Sequence, residues 1–136
     1  MTERGSITFW MLGLAFALMT LGVLSVDLWS LIGERRELAA VADASARAAV
    51  SAVDESEWRR SRVLRLDRSE AEQRAWEVIE TRTAGGPIEP VIMFDSDGVT
   101  VRVSVSRTVE TALLGLAGRD FVTVGAASQA TATLHD

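Results

Sequence analysis

An uncharged apolar run near the start of the chain is the feature that most restricts what this sequence can fold into. Between Arg4 and Asp27 the chain reads GSITFWMLGLAFALMTLGVLSV, without one charged residue. As a helix rising 1.5 Å per residue, the run is about 33 Å long, and a bilayer's hydrocarbon layer is about 30 Å thick. Tryptophans near both ends fit the interfacial belt of aromatic side chains. The sequence therefore predicts a short leader at residues 1–5 and a transmembrane helix at residues 6–26.

A cleaved secretory signal is the alternative interpretation of the same run. Such signals have an apolar core of roughly 7 to 15 residues, followed by small residues at a cleavage site. No A-x-A site follows directly here, so a retained membrane helix is favoured. Charge does not settle the orientation of the helix, because Arg4 on one side opposes Arg35 and Arg36 on the other.

Four positions in or beside the run are candidate contact residues. Gly13 and Ala17 form a small-xxx-small pair, and with Gly22 they predict a face that another helix can approach closely. The alternative interpretation, which is equally favoured, is that these small residues are ordinary lipid-facing positions. Asp27 either pairs with a cation of a neighbouring subunit or only marks the exit of the helix into water, and the second interpretation is favoured because a carboxylate costs little at the membrane edge.

Composition removes several classes of function. The chain has no cysteine and one histidine, His135, so thiolate metal sites, disulfides, cysteine nucleophiles and histidine triads are excluded. A net charge of -5 disfavours nucleic-acid binding, which needs a cationic surface. No catalytic constellation, cofactor motif or small-molecule site is recognisable, so we predict neither an enzyme nor a cofactor.

The remaining chain predicts an α+β fold. Residues 27–53 are rich in alanine and free of proline, and they predict a continuation of the first helix. Residues 54–68 concentrate charge and predict a charged linker or a solvated helix edge. Residues 69–136 predict a small α+β domain: a helix that a Ser69 and Glu72 capping box begins, then about three antiparallel strands with a hairpin turn at Asp95-Ser-Asp-Gly98. Free edge strands at 88–94 or 120–134 are candidate contact surfaces.

The order of these features resembles the TadE and TadG-like proteins of Flp, or tight-adherence, pilus systems. The membrane run closed by Asp27 matches that family, as does the segment ERRELAAVADASARAA with its Ala42-Asp43-Ala44, and so does the ending LLGLAGRDFVTVGAASQATATL. The resemblance covers most of the chain and is firmest over residues 4–50.

The resemblance implies a membrane-anchored, pseudopilin-like structural component in the assembly of a Flp-type pilus or related secretion apparatus. Its N-terminus would be cytoplasmic and its C-terminal domain extracytoplasmic, and its partners would be the bilayer and other pilin-like subunits. Gly5-Ser6 occupies the place of a prepilin-type processing junction, although Trp10 stands where pilins have a glutamate. The alternative function is a membrane-tethered binding or sensor module unrelated to pili.

Overall fold

The computed structural model describes residues 4–82, 86–111, 118 and 120–133. Its elements follow in the order α1 (Arg4–Val50), α2 (Glu55–Ser61), α3 (Arg68–Arg82), β1 (Glu89–Phe94), β2 (Thr100–Glu110) and β3 (Phe121–Thr131). The predicted α+β class is confirmed, with a long apolar N-terminal helix and a three-stranded antiparallel sheet. The chain divides into two compact units, one of residues 1–33 and 109–122 and the other of residues 34–108 and 123–136.

Alternation along β2 and a small-residue stripe on α1 build the core of the second unit. Val101, Val103 and Val105 are almost fully buried, because side chains in a strand alternate between its two faces. They pack with alanines and larger apolar side chains from α1 and α3. The buried apolar residues are Leu38, Val41, Ala42, Ala46, Ala49, Ala52, Leu66, Ala71, Ala75, Ile79, Val101, Val103, Val105 and Ala132. Alanine-rich helix faces let the two helices lie close to the sheet.

The sheet has the order β1-β2-β3, with β2 in the centre. β1 pairs antiparallel with β2 over Glu89↔Ser106 to Phe94↔Val101. On the other side, Ala132 N donates to Val99 O at 2.9 Å, and the hydroxyls of Thr100 and Thr131 lie 2.9 Å apart. β1 and β3 are therefore the two edges of the sheet that the structure describes.

The charged segment at residues 54–68, predicted as a linker or a solvated helix edge, contains the short helix α2. Asp54 caps α2, since its carboxylate accepts a 3.0 Å hydrogen bond from Glu57 N. Arg62 ends the helix in the left-handed conformation, with φ 57°. Asp54 N donates to Arg65 O, and Asp67 N donates to Ala52 O. These two bonds join the chain before α2 to the chain that precedes α3. Tertiary hydrogen bonds thus hold a helix of 7 residues that has no apolar face of its own.

The capping box predicted at Ser69 and Glu72 is wrong. The carboxylate of Asp67 accepts hydrogen bonds from Ser69 N at 2.9 Å and Glu70 N at 3.1 Å. Asp67 is thus the side chain that satisfies free N–H groups in the first turn of α3. An aspartate and a serine are both good N-caps, and the pattern of the helix alone did not separate them.

The predicted hairpin turn is present between β1 and β2, where Gly98 takes φ 72°. Asp97 organises it: its carboxylate accepts 2.9 Å bonds from Val99 N and Thr100 N, and a 2.6 Å bond from the Thr100 hydroxyl. The Thr100 hydroxyl, with the Val99 and Thr100 N–H groups, lowers the pKa of Asp97 below its ordinary value of 3.8. Each of these donors favours the charged carboxylate.

We expect Asp97→Asn to lower the free energy of unfolding at neutral pH. A lowered pKa in the folded state contributes stability above the ordinary pKa, and this contribution is lost as the pH falls through the folded value. The difference in melting temperature between the two proteins should therefore be constant above about pH 5 and shrink below about pH 4. Thermal melts across this range check it, and a difference that stays unchanged in acid contradicts it.

Candidate assembly surfaces

The N-terminal part of α1 presents apolar side chains on every side. Across the described chain, α1 contains the one helix long and apolar enough to span a membrane, near the N-terminus, with a mean hydropathy of 2.1 and no part of its most apolar window buried. Trp10, Phe16 and Met19 are among its exposed residues. A helix that is apolar all round is stable only inside lipid or among other helices. This finding is consistent with a membrane-anchored protein.

Two hydroxyl groups within the apolar part of α1 are satisfied inside the helix itself. The Thr20 hydroxyl donates to Phe16 O at 2.9 Å, and the Ser25 hydroxyl donates to Leu21 O at 2.8 Å. Both are the bonds to the carbonyl four residues earlier that serine and threonine make in helices. An unsatisfied hydroxyl in hydrocarbon costs several kcal/mol, by order of magnitude, so these bonds suit the segment to lipid.

The predicted packing face of α1 is open. A Cβ placed on Gly13 or Gly22 has no atom within 4 Å, apart from the helix's own backbone. These two residues, with Ala17, thus have room for a neighbouring helix, and their role as a packing face stays a prediction. Gly5 and Ser6 lie in the first turns of α1, and Asp27 is half-buried within it. Processing at Gly5-Ser6 and a role for Asp27 at the membrane edge also stay predictions.

The alanine-aspartate segment lies where α1 packs on the sheet. Ala42 is fully buried, and Ala44 is half-buried. Asp43 pairs with Arg47 at 2.7 Å, and the Ser128 hydroxyl of β3 lies 3.5 Å from its carboxylate. In this structure, therefore, the segment joins α1 to β3 within the unit of residues 34–108 and 123–136.

A buried arginine is the group that sequence reasoning missed. Arg107 continues the buried register of β2, and its side chain is 6% exposed. Its Nη1 lies 2.7 Å from Glu34 Oε2 and 3.8 Å from Glu37 Oε1, and both glutamates are on α1. Its Nη2 lies 3.5 Å from Gly86 O, whereas its Nε is buried without a hydrogen-bond partner in the described structure. The sequence contains a signal for it, because Arg107 follows four valines at alternate positions, Val99 to Val105.

The surface that the structure describes offers shallow grooves. A groove of about 320 Å³ crosses the outer face of the sheet, on the side away from the helices. Its lining residues are Glu89, Val91, Ser104, Val105, Ser106, Gly125, Ala126 and Ala127. Among the described residues, no three histidine, cysteine, aspartate or glutamate side chains come together as a metal site. Contact with other chains is the chemistry that these surfaces best support.

Comparison with known proteins finds a similarity for the N-terminal segment. Residues 5–52 match the family model described as "Putative Flp pilus-assembly TadE/G-like". The match runs through the apolar part of α1 and the alanine-aspartate segment, the region where the sequence resemblance is firmest. No curated protein and no solved structure matches the chain. The match supports a role in Flp pilus assembly, and such a role implies interaction with other pilus components.

Proposed function

We propose that this chain, whose residues 5–52 are a TadE/G-like segment, is a membrane-anchored, pseudopilin-like structural subunit of a Flp-type pilus or a related secretion apparatus. The observation that carries the proposal is the exposed apolar surface of α1 within the matched segment, of which no part of the most apolar window is buried. A surface of this kind needs lipid or the apolar helices of neighbouring subunits.

The mechanism is assembly rather than catalysis. Residues 6–26 hold the chain in the cytoplasmic membrane, with the N-terminus in the cytoplasm and the α+β domain outside. Lateral packing of apolar helices at Gly13, Ala17 and Gly22 joins the chain to other subunits, because small side chains let two helix backbones approach closely. The domain outside the membrane supplies further contacts.

We expect the double substitution Leu14→Arg and Leu18→Arg to abolish membrane retention. Each arginine at the centre of a membrane helix costs about 2.5 to 3.5 kcal/mol on insertion scales, and the two lie one turn apart on the same side of α1. Alkaline extraction of membranes from cells that express the full chain measures retention. The matched control is Leu14→Ile with Leu18→Ile, which keeps the apolar surface. Extraction of the control, or retention of the arginine variant, contradicts the anchor.

Recovery of the native protein and loss of its gene test the function itself. Intact mass and N-terminal sequencing of the protein from native membranes show whether Gly5-Ser6 is cleaved: a chain that begins at Ser6 supports prepilin-type maturation. A start beyond Val26 instead identifies the apolar run as a cleaved signal and contradicts the anchor.

Deletion of the gene should abolish surface pili while the other pilus subunits are still made. Normal piliation after deletion contradicts the role in assembly and points to the tethered binding module.

A further inference from the structure

Two adjacent arginines of α1 are exposed and have no acidic partner among the described residues. Arg35 and Arg36 take part in none of the salt bridges of the described chain. Other helical arginines, such as Arg47, Arg59 and Arg74, pair with a carboxylate four residues away. At three and four residues from Arg35 and Arg36 the helix holds only leucine, isoleucine, glycine and alanine, so this local neutralisation is absent.

The acidic neighbours of this arginine pair face the sheet instead. Glu34 and Glu37 lie on one face of α1, where their carboxylates are 2.7 Å and 3.8 Å from Nη1 of the buried Arg107. Each residue of an α-helix is turned by about 100° from the one before it, so Arg35 and Arg36 lie off that face. The buried arginine thus takes up both nearby carboxylates and leaves two positive charges on the exposed side of the helix.

The charge of the pair is not cancelled further along α1. Between residues 28 and 47, every other charged side chain is in an ion pair, and the last of these pairs joins Asp43 to Arg47 at 2.7 Å. Ala39 and Ala40, the exposed residues that follow Leu38, are uncharged. Although the whole chain has a net charge of -5, this part of α1 therefore presents a positive surface to an anionic partner.

Chain length keeps the pair close to the surface of a membrane that residues 6–26 span. The uncharged run ends at Asp27, and Arg35 and Arg36 follow it within the same helix, after at most about 14 Å of helical rise. The headgroup layer takes up about 5 to 7 Å of this distance. The rest is within a Debye length, which is about 8 Å at physiological ionic strength. Any tilt of α1, and the length of the arginine side chains, shortens it further.

We propose that Arg35 and Arg36 bind the phosphate groups of anionic phospholipids in the leaflet from which α1 emerges. A guanidinium group donates two parallel hydrogen bonds to a phosphate, and two adjacent arginines favour a headgroup with a net negative charge over a zwitterionic one. The contact continues, along the chain, the contact of the apolar run with lipid. This inference rests on the membrane anchor of the proposed function and not on the role in pilus assembly.

Native mass spectrometry of the full chain in detergent micelles measures its affinity for single lipids. The unmodified chain should bind phosphatidylglycerol more tightly than phosphatidylcholine. Arg35→Gln with Arg36→Gln should weaken the binding of phosphatidylglycerol about 25-fold, because each arginine beside an anionic headgroup contributes about a factor of five. The binding of phosphatidylcholine should stay unchanged. Lack of a preference in the unmodified chain overturns the proposal, and so does a preference that survives in the double variant.

Arg59→Gln with Arg60→Gln is the matched control, since it also removes two adjacent exposed arginines and the same amount of charge. These arginines pair with Glu55 at 2.9 Å and Glu57 at 3.4 Å in α2, so they leave little charge free for a lipid. The control should change the affinity for phosphatidylglycerol by less than about twofold. An equal loss in both double variants shows a response to net charge alone, and it overturns the site.

Dipolar coupling between arginine carbon and lipid phosphorus locates the contact in a bilayer. With the full chain labelled at arginine Cζ in phosphatidylglycerol bilayers, part of the arginine signal should be dephased by phosphorus. That part should be lost in the variant with glutamine at positions 35 and 36 and kept in the variant with glutamine at 59 and 60. A dephased signal that is the same in the unmodified chain and both variants overturns the proposal.

Other anions and failure of the anchor give different results. Inorganic phosphate at the concentration of the lipid should not displace phosphatidylglycerol, and displacement identifies a site for free phosphate and overturns the lipid contact. Loss of an acidic protein partner by the variant at positions 35 and 36, without any lipid preference in the unmodified chain, also overturns it. Release of the unmodified chain from membranes by alkaline extraction overturns both the anchor and this inference. Retention without a preference for phosphatidylglycerol overturns this inference alone.

Discussion

Leu38→Ala should lower the free energy of unfolding of the unit of residues 34–108 and 123–136 by about 3 kcal/mol. Leu38 is completely buried, with 0% of its surface exposed to solvent. It is the largest of the fully buried side chains in the described core. Truncation removes apolar contacts and leaves a cavity in this core, which the surrounding side chains fill only in part. For a domain whose whole stability is about 5 to 15 kcal/mol, this is a large share.

Chemical denaturation of the full chain in detergent, followed by circular dichroism of the sheet, measures the Leu38 effect. Val63→Ala is the matched control, because Val63 is 51% exposed and its truncation should change stability by less than about 0.5 kcal/mol. A Leu38 variant as stable as the Val63 variant would show that α1 does not pack on the sheet as described. The apolar part of α1 should stay helical in both variants, since it lies outside this core.

Arg107→Met should destabilise the same unit by about 2 to 3 kcal/mol. The substitution leaves the carboxylate of Glu34 without its 2.7 Å partner at a site where the Glu34 side chain is 26% exposed. Breaking a buried pair by removing one member costs about 3 to 5 kcal/mol, and partial exposure of Glu34 reduces the loss here. The buried Nε without a partner reduces it further, because methionine has no such group to bury.

A double-mutant cycle isolates the ion pair, with Arg102 as the comparison. Glu34→Gln combined with Arg107→Met should cost less than the sum of the two single substitutions, because the second change removes the charge that the first left unpaired. Arg102→Met, on the outer face of the same strand, should cost less than about 0.5 kcal/mol. Strict additivity of the two changes contradicts an energetically coupled pair.

Local patterns account for most of the elements that the sequence predicted correctly. The uncharged run between Arg4 and Asp27 predicts a long apolar helix from length and composition alone. The valine alternation from Val99 to Val105 predicts β2, and the Asp-Ser-Asp-Gly98 segment predicts the turn before it. In each case the signal depends on neighbouring residues only, so no knowledge of the rest of the fold was needed.

The misses have tertiary causes. α2 has no buried residue, and hydrogen bonds at its base, such as Asp54 N to Arg65 O, support it. Arg107 was not recognised as buried, because a charge is stable in that register only when α1 brings Glu34 to it. The segment TALLGLAG at residues 111–118, which the sequence predicts as a short apolar turn of helix or a loop, lies largely outside the described residues.

The sequence by itself determined the long apolar helix near the N-terminus, the similarity of residues 5–52 to TadE/G-like proteins and the α+β class. These properties follow from hydropathy, spacing and turn chemistry, which act over short stretches of chain. Only the tertiary structure decided which strands form the edges of the described sheet and in which register they pair. Hydrogen-bond phase in a sheet is set by pairing between distant segments, and the sequence of either strand alone does not contain it.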